Sequence, residues 1–157
     1  MKKYPHDPVT TMENFVKERV ATYFHVNDHN CVRTDLLILA EYFKIELHEQ
    51  VLAAAVGMHG AGGYRAQCGL VEGTLLFLGI LGAEKGVVEE DIVLTCHDFG
   101  QAYEKEFSSL QCRILRPGGF NDDDPPHLCE GLACRSSSFS IHFIELVLEE
   151  WNISAGK

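Results

Sequence analysis

Residues 60–82 read GAGGYRAQCGLVEGTLLFLGILG. A glycine-rich loop leads to Cys68, and a long apolar run follows the cysteine directly. How that run is read decides the fold. Its apolar part, Leu70 to Ala83, is 14 residues long and contains Glu72. A helix needs about 20 apolar residues to cross a bilayer. The run is therefore expected to be a buried core helix, not a membrane span, extending from about Ala66 to Glu84.

Working outward, the segments on both sides carry helical periodicity. Thr10 or Thr11 is positioned to cap a first helix that carries Phe15, Val16, Val20 and Phe24 and ends near 26–28. Asn30 is expected to cap a second helix, CVRTDLLILAEYF, with Cys31 in its first turn. A third is expected from about His48 to Met58. A further helix is expected from Glu89 to Phe107, because Ile92, Cys96, Phe99, Tyr103 and Phe107 recur on one face. That face makes Cys96 a packing residue. Cys112 opens a short helical turn that ends before Pro117-Gly118-Gly119. Asp124 followed by Pro125 has the form of a helix start, and a last helix is expected from there to Trp151. RSSS at 135–138 is expected to kink or split it. Strand signals are weak throughout. The expected fold is an all-α single domain of six or seven helices spanning 1–157, with residues 1–10 as a flexible tail.

The composition excludes some functions. The formal charge is −10, with 13 Lys and Arg against 23 Asp and Glu. Nucleic-acid binding needs a basic footprint, and none is visible. The N-terminal MKKYPHDPVTTMENF lacks the apolar stretch of a signal peptide, so a cytoplasmic location is expected. In a reducing compartment, six cysteines point to metal or redox chemistry rather than structural disulfides.

Cys31, Cys68 and Cys129 each fall near an expected helix start, and Cys112 shares that context. Unpaired backbone N–H groups there favour negative charge, so a lowered thiol pKa is expected. The spacing fits neither a CxxC redox pair, nor a zinc finger, nor the common ferredoxin patterns. It leaves two readings open: separate buried thiols, or one shared site where helix starts converge. Gly69 and Gly73, four apart, read as a smooth packing face. Among eight histidines, His59 is the one placed to reach the cysteines. His25 and His29 have metal-ligand spacing but straddle a helix end. Glycines 60–63 lack the Lys-Ser/Thr of a nucleotide-binding loop.

The segment VGMHGAGGYRAQCGLVEGTLLFLGI (56–80) resembles the central signature of the C_GCAxxG_C_C family. The signature's Cys-Gly-Ala-x-x-Gly reads Cys68-Gly69-Leu70-Val71-Glu72-Gly73 here, with Leu70 in place of alanine. The family's first cysteine matches Cys31 and its third matches Cys112, in Cys112-Arg113-Ile114-Leu115. The fourth matches Cys129, with Cys134 as the alternative. The likeness runs from residue 11 onward. It implies a redox role, an iron–sulfur cluster on Cys31, Cys68, Cys112 and Cys129, and work beside an oxidoreductase with a redox partner protein. Two other functions compete with electron transfer or redox sensing. One is a metal-free thiol–disulfide protein, cycling a pair such as Cys31 and Cys68. The other is a zinc-stabilised helical domain that binds a partner. The small-residue helix face is also compatible with a homodimer.

Overall fold

The computed structural model describes residues 8–155, and their architecture is all-α. Seven helices run through these residues: α1 (Pro8–Ala21), α2 (Cys31–Phe43), α3 (Glu49–Ala54), α4 (Gly69–Glu84), α5 (Glu89–Phe107), α6 (Cys112–Leu115) and α7 (Glu130–Ala155). A π-helical turn, Thr22–Val26, extends α1, and a 3₁₀ turn, Ala55–Gly57, extends α3. No helix among the described residues is long and apolar enough to cross a membrane.

Helix α4 holds the apolar run of residues 70–83. It is apolar on nearly every side, and such a helix belongs inside a protein. Leu70, Val71, Phe77, Leu78 and Leu81 are all buried. Helices α2, α5 and α7 pack around it, and α1 covers α2 and α7. On α5 the expected face holds: Phe99 and Tyr103 are fully buried, and Cys96 packs against the core's edge. Phe99, Tyr103, Phe139 and Phe143 stack into an aromatic cluster between α5 and α7.

Helices α2 and α4 approach closely, and glycine permits it. A Cβ on Gly69 would lie 2.9 Å from the Cys31 Cβ, and one on Gly73 would lie 2.9 Å from the Asp35 Cβ. Two successive rungs of α2 thus rest directly on the α4 backbone. Gly69→Ala must push these helices apart. It is expected to lower the unfolding free energy by about 1–3 kcal/mol, the usual cost of overpacking. Urea denaturation measures this, and an unchanged midpoint would contradict the close approach.

Where α2, α4 and α7 meet, the core is polar. Asp35, Thr74, Ser136, Ser137 and Ser140 are all fully buried. Asp35 accepts hydrogen bonds from Thr74 Oγ1 (2.8 Å) and Ser137 Oγ (2.7 Å). Ser140 bonds Thr74 at 2.8 Å, and Ser136 bonds the Tyr103 hydroxyl at 3.0 Å.

Four expectations fail locally. The serines of 135–138 do not break the last helix: the Ser136 and Ser137 hydroxyls find partners across the core, and α7 runs unbroken through the stretch. Asp124 does not start that helix, which begins at Glu130. Its carboxylate instead accepts the Asn121 N–H at 2.9 Å and pairs with Arg116 at 3.2 Å, folding a loop. Thr10 and Thr11 lie within α1, not at its cap, since the helix already includes Pro8. For the same reason residues 8–10 are helical rather than tail; residues 1–7 lie outside the described part of the chain.

Candidate functional site

Each of the four candidate cysteines sits at a helix start, as expected. Cys31 opens α2 behind Asn30, whose side chain accepts the Arg33 N–H at 2.9 Å. The same Asn30 donates to the Val56 carbonyl at 2.9 Å, tying the start of α2 to the end of α3's extension. Cys68 is the N-cap of α4 and Cys112 is the first residue of α6. Cys129 directly precedes α7, and its carbonyl accepts the Ala133 N–H at 2.7 Å.

Backbone pairing fixes Cys68 and Cys112 side by side. Gln67 and Gln111 form an isolated antiparallel bridge. Around it the Cys68 N–H donates to Leu110 O (2.8 Å) and the Cys112 N–H to Ala66 O (2.7 Å). The glycine-rich loop makes room for this pair. Gly60 has φ +60, and a Cβ there would lie 3.3 Å from the Arg65 backbone and 3.4 Å from the Cys112 Cβ. Ala61 and Gly62 are also left-handed, so 60–63 is a tight corner and not a true helix.

Cys31, Cys68, Cys112 and Cys129 line one cavity of about 130 Å³. That is close to the roughly 150 Å³ of an apolar cavity that accepts benzene. Leu70, Leu115 and Leu132 form apolar walls. Leu70, where the family signature has alanine, is fully buried there. Among the described residues, no three His, Cys, Asp or Glu side chains are gathered tightly enough for a single metal ion.

Burial, not the helix starts, dominates the thiols' electrostatics. The expected lowering of pKa is therefore reversed. Desolvation pushes Cys68 up to about 12, although the N–H groups of Leu70 and Val71 oppose it. Cys31 is raised further, by burial first and then by the three neighbouring thiols. Cys112 and Cys129 are also raised by burial, but arginines work against the rise at both: Arg116, Arg65 and Arg113 at Cys112, and Arg116 at Cys129. Metal-free, the pocket therefore favours neutral thiols, and a bound cation or cluster would displace their protons.

The arginines are the part of the site that cysteine positions did not reveal. Arg65 and Arg116 line the cavity, and both guanidinium groups stack on Phe120, at 4.0 Å and 4.4 Å from its centroid. Arg113 donates to the Arg65 carbonyl at 3.1 Å. Arg113 lies in α6 with Cys112, and Arg116 directly follows that helix.

The other candidates separate cleanly. His59 lies on the cavity wall, its Nδ1 3.1 Å from Val56 O and 3.2 Å from Asn30 Nδ2. Cys134 lines a different groove, with Glu13 and Lys17 of α1. His25 pairs with Glu130 at 2.8 Å while His29 stacks on Tyr23, so the two do not act as a metal pair.

The fold and site together define a helical scaffold enclosing a four-thiol pocket. Residues 29–139 match the family described as "Putative redox-active protein (C_GCAxxG_C_C)", and the chain belongs to that family. No curated protein and no solved structure matches it.

Proposed function

We propose that Cys31, Cys68, Cys112 and Cys129 hold an iron–sulfur cluster, and that the protein transfers or senses electrons through it. The observation that carries this reading is convergence: four cysteines from four separate segments line one cavity. Such a cluster supplies a one-electron couple held by thiolates. Its fit to the cavity rests on size and on donor type. Four sulfur donors suit iron–sulfur clusters and zinc alike. A single zinc, however, needs sulfurs within about 3.8 Å of one another at bond lengths near 2.3 Å. Among the described residues no such close group is formed. Arg65, Arg113 and Arg116 offset the negative charge of bound thiolates, and the apolar walls limit water. Both factors tune a cluster's potential.

Thiol–disulfide exchange is the weaker reading. Attack requires thiolate, and burial keeps Cys31 and Cys68 protonated near neutral pH. The iron–sulfur reading also implies a redox partner protein that docks near the cavity.

The test is to produce and purify the protein without air and to assay iron, acid-labile sulfide and zinc. Iron and sulfide in comparable amounts, with visible absorbance that bleaches on reduction, are the expected result. Zinc in place of iron, or no iron after anaerobic reconstitution with iron and sulfide, rules the reading out.

A further inference from the structure

We propose that Phe120 is the access-determining residue of the thiol pocket: the loop 116–124 is a flap, latched shut where Phe120 stacks on Arg65. The proposal builds on the pocket being the working site, but its test uses metal-free protein, so the two readings fail separately.

The pocket has a deep end and a mouth. Cys68, Gly69, Leu70 and Leu132 are buried, whereas Gly63 and Arg65 are exposed. Phe120 lines the same cavity and sits against Arg65, at the mouth. Its ring carries two guanidinium groups from two different segments. A cation over an aromatic face is attracted to it even at an exposed site such as that of Arg65, and two such contacts give the ring a defined seat.

The loop that carries Phe120 is largely self-contained. Arg116 donates to Gly119 O at 2.9 Å and pairs with Asp124 at 3.2 Å. The Asn121 N–H donates to Asp124 at 2.9 Å, the Asn121 side chain donates to Gly118 O at 3.3 Å, and the Gly119 N–H donates to Arg116 O at 3.2 Å. Each of these bonds joins two residues of 116–124. A loop bonded to itself can move as one body, like an Ω-loop or an active-site lid. Gly118 and Gly119, at φ +71 and +75 with open space around each, form the tight turn that lets the loop bond to itself. Arg116 anchors the base of the loop, its N–H donating to Cys112 O at 3.1 Å and its side chain bonding Cys129, and the grip across the mouth is Phe120 on Arg65. When it releases, molecules the size of a thiol reagent reach Cys68 and Cys31; when it holds, they do not.

The experiment is alkylation of the reduced, metal-free protein by iodoacetamide, with the rate at each cysteine read by mass spectrometry of its peptide. Cys96 and Cys134, which lie outside the pocket, serve as internal references. Phe120→Ala is expected to speed modification of Cys68 and Cys31 by about tenfold relative to the references. Arg65→Met keeps the length of the side chain and leaves Phe120 in place, but removes the cation. It is expected to speed the same two cysteines several-fold, while Arg65→Lys stays near wild type. Unchanged rates in Phe120→Ala overturn the proposal. An equal rise at Cys96 and Cys134 also overturns it, since that marks general loosening. Acceleration in Phe120→Ala with none in Arg65→Met leaves a fixed plug and overturns the latch.

Discussion

Asp35→Asn should stabilise the protein at pH 8 by up to about 4 kcal/mol, and the gain should fade toward zero near pH 3–4. Asp35 is fully buried and has two hydroxyl donors, Thr74 and Ser137, but no cation. Tyr103 and the other seam serines are uncharged neighbours. Desolvation outweighs the two hydrogen bonds and raises the carboxyl to about 7, against about 3.9 in an unfolded chain. The folded state therefore holds this proton more tightly than the unfolded state. The stability so gained is complete below the unfolded pKa and is lost as pH rises through 7, at about 1.4 kcal/mol per pH unit between the two. Asparagine mimics the protonated acid at every pH, and the Ser137 hydroxyl can turn to accept from its amide. Urea denaturation of both proteins at pH 4, 6 and 8 provides the comparison, because other titrations cancel in the difference. A gain that does not vary with pH, or a loss at pH 8, would show that the carboxylate is better satisfied than its surroundings suggest.

The same residues show which features local sequence could carry and which it could not. Periodicity is a local property, and it gave α2 and α5 to the residue: Asn30 caps from its own side chain, and Phe99 and Tyr103 lie on one stripe. The central position of α4 followed from a run apolar on all sides. The serines of α7 misled because their helix penalty assumes hydroxyls competing with their own backbone. Asp35, Thr74 and Tyr103 satisfy those hydroxyls instead, and all three come from other helices. The site divides in the same way. Glycine and cysteine positions pointed to a loop that leads to a thiol at a helix start, and Cys68 is the N-cap of α4. The thiols' protonation was misjudged because the N–H groups at a helix start are local, whereas the desolvation that overrides them comes from the whole packed core. The arginine pair on Phe120 joins residues more than fifty positions apart, so no local pattern announces it.

Cys129→Ser is expected to cut iron bound after anaerobic reconstitution by at least about tenfold, while Cys134→Ser binds as much as wild type. Sequence order admitted either residue as the fourth ligand. They are five positions apart, and at 100° per residue a helix turns them about 140° away from each other. Cys129 directly precedes α7 and Cys134 lies within it, and the two line different cavities. Cys129 ends the loop, faces Cys31, Cys68 and Cys112, and has Arg116 within reach of its sulfur. Cys134 looks toward α1 and shares its groove with Lys17 and Arg135. Loss of outer-shell partners alone weakens metal sites by 10–100-fold, so losing a direct ligand should cost at least as much. Serine keeps the size of the side chain, and Cys129 lies outside the core's fully buried set, so in the metal-free form both variants should fold and melt like metal-free wild type. Iron and sulfide per chain, measured with the melting curve, decide the matter. A Cys134→Ser protein that loses its iron, or a Cys129→Ser protein that keeps it, would move the site off this cavity. The proposed ligand set would fall with it, even though the helices around the cavity would remain as they are.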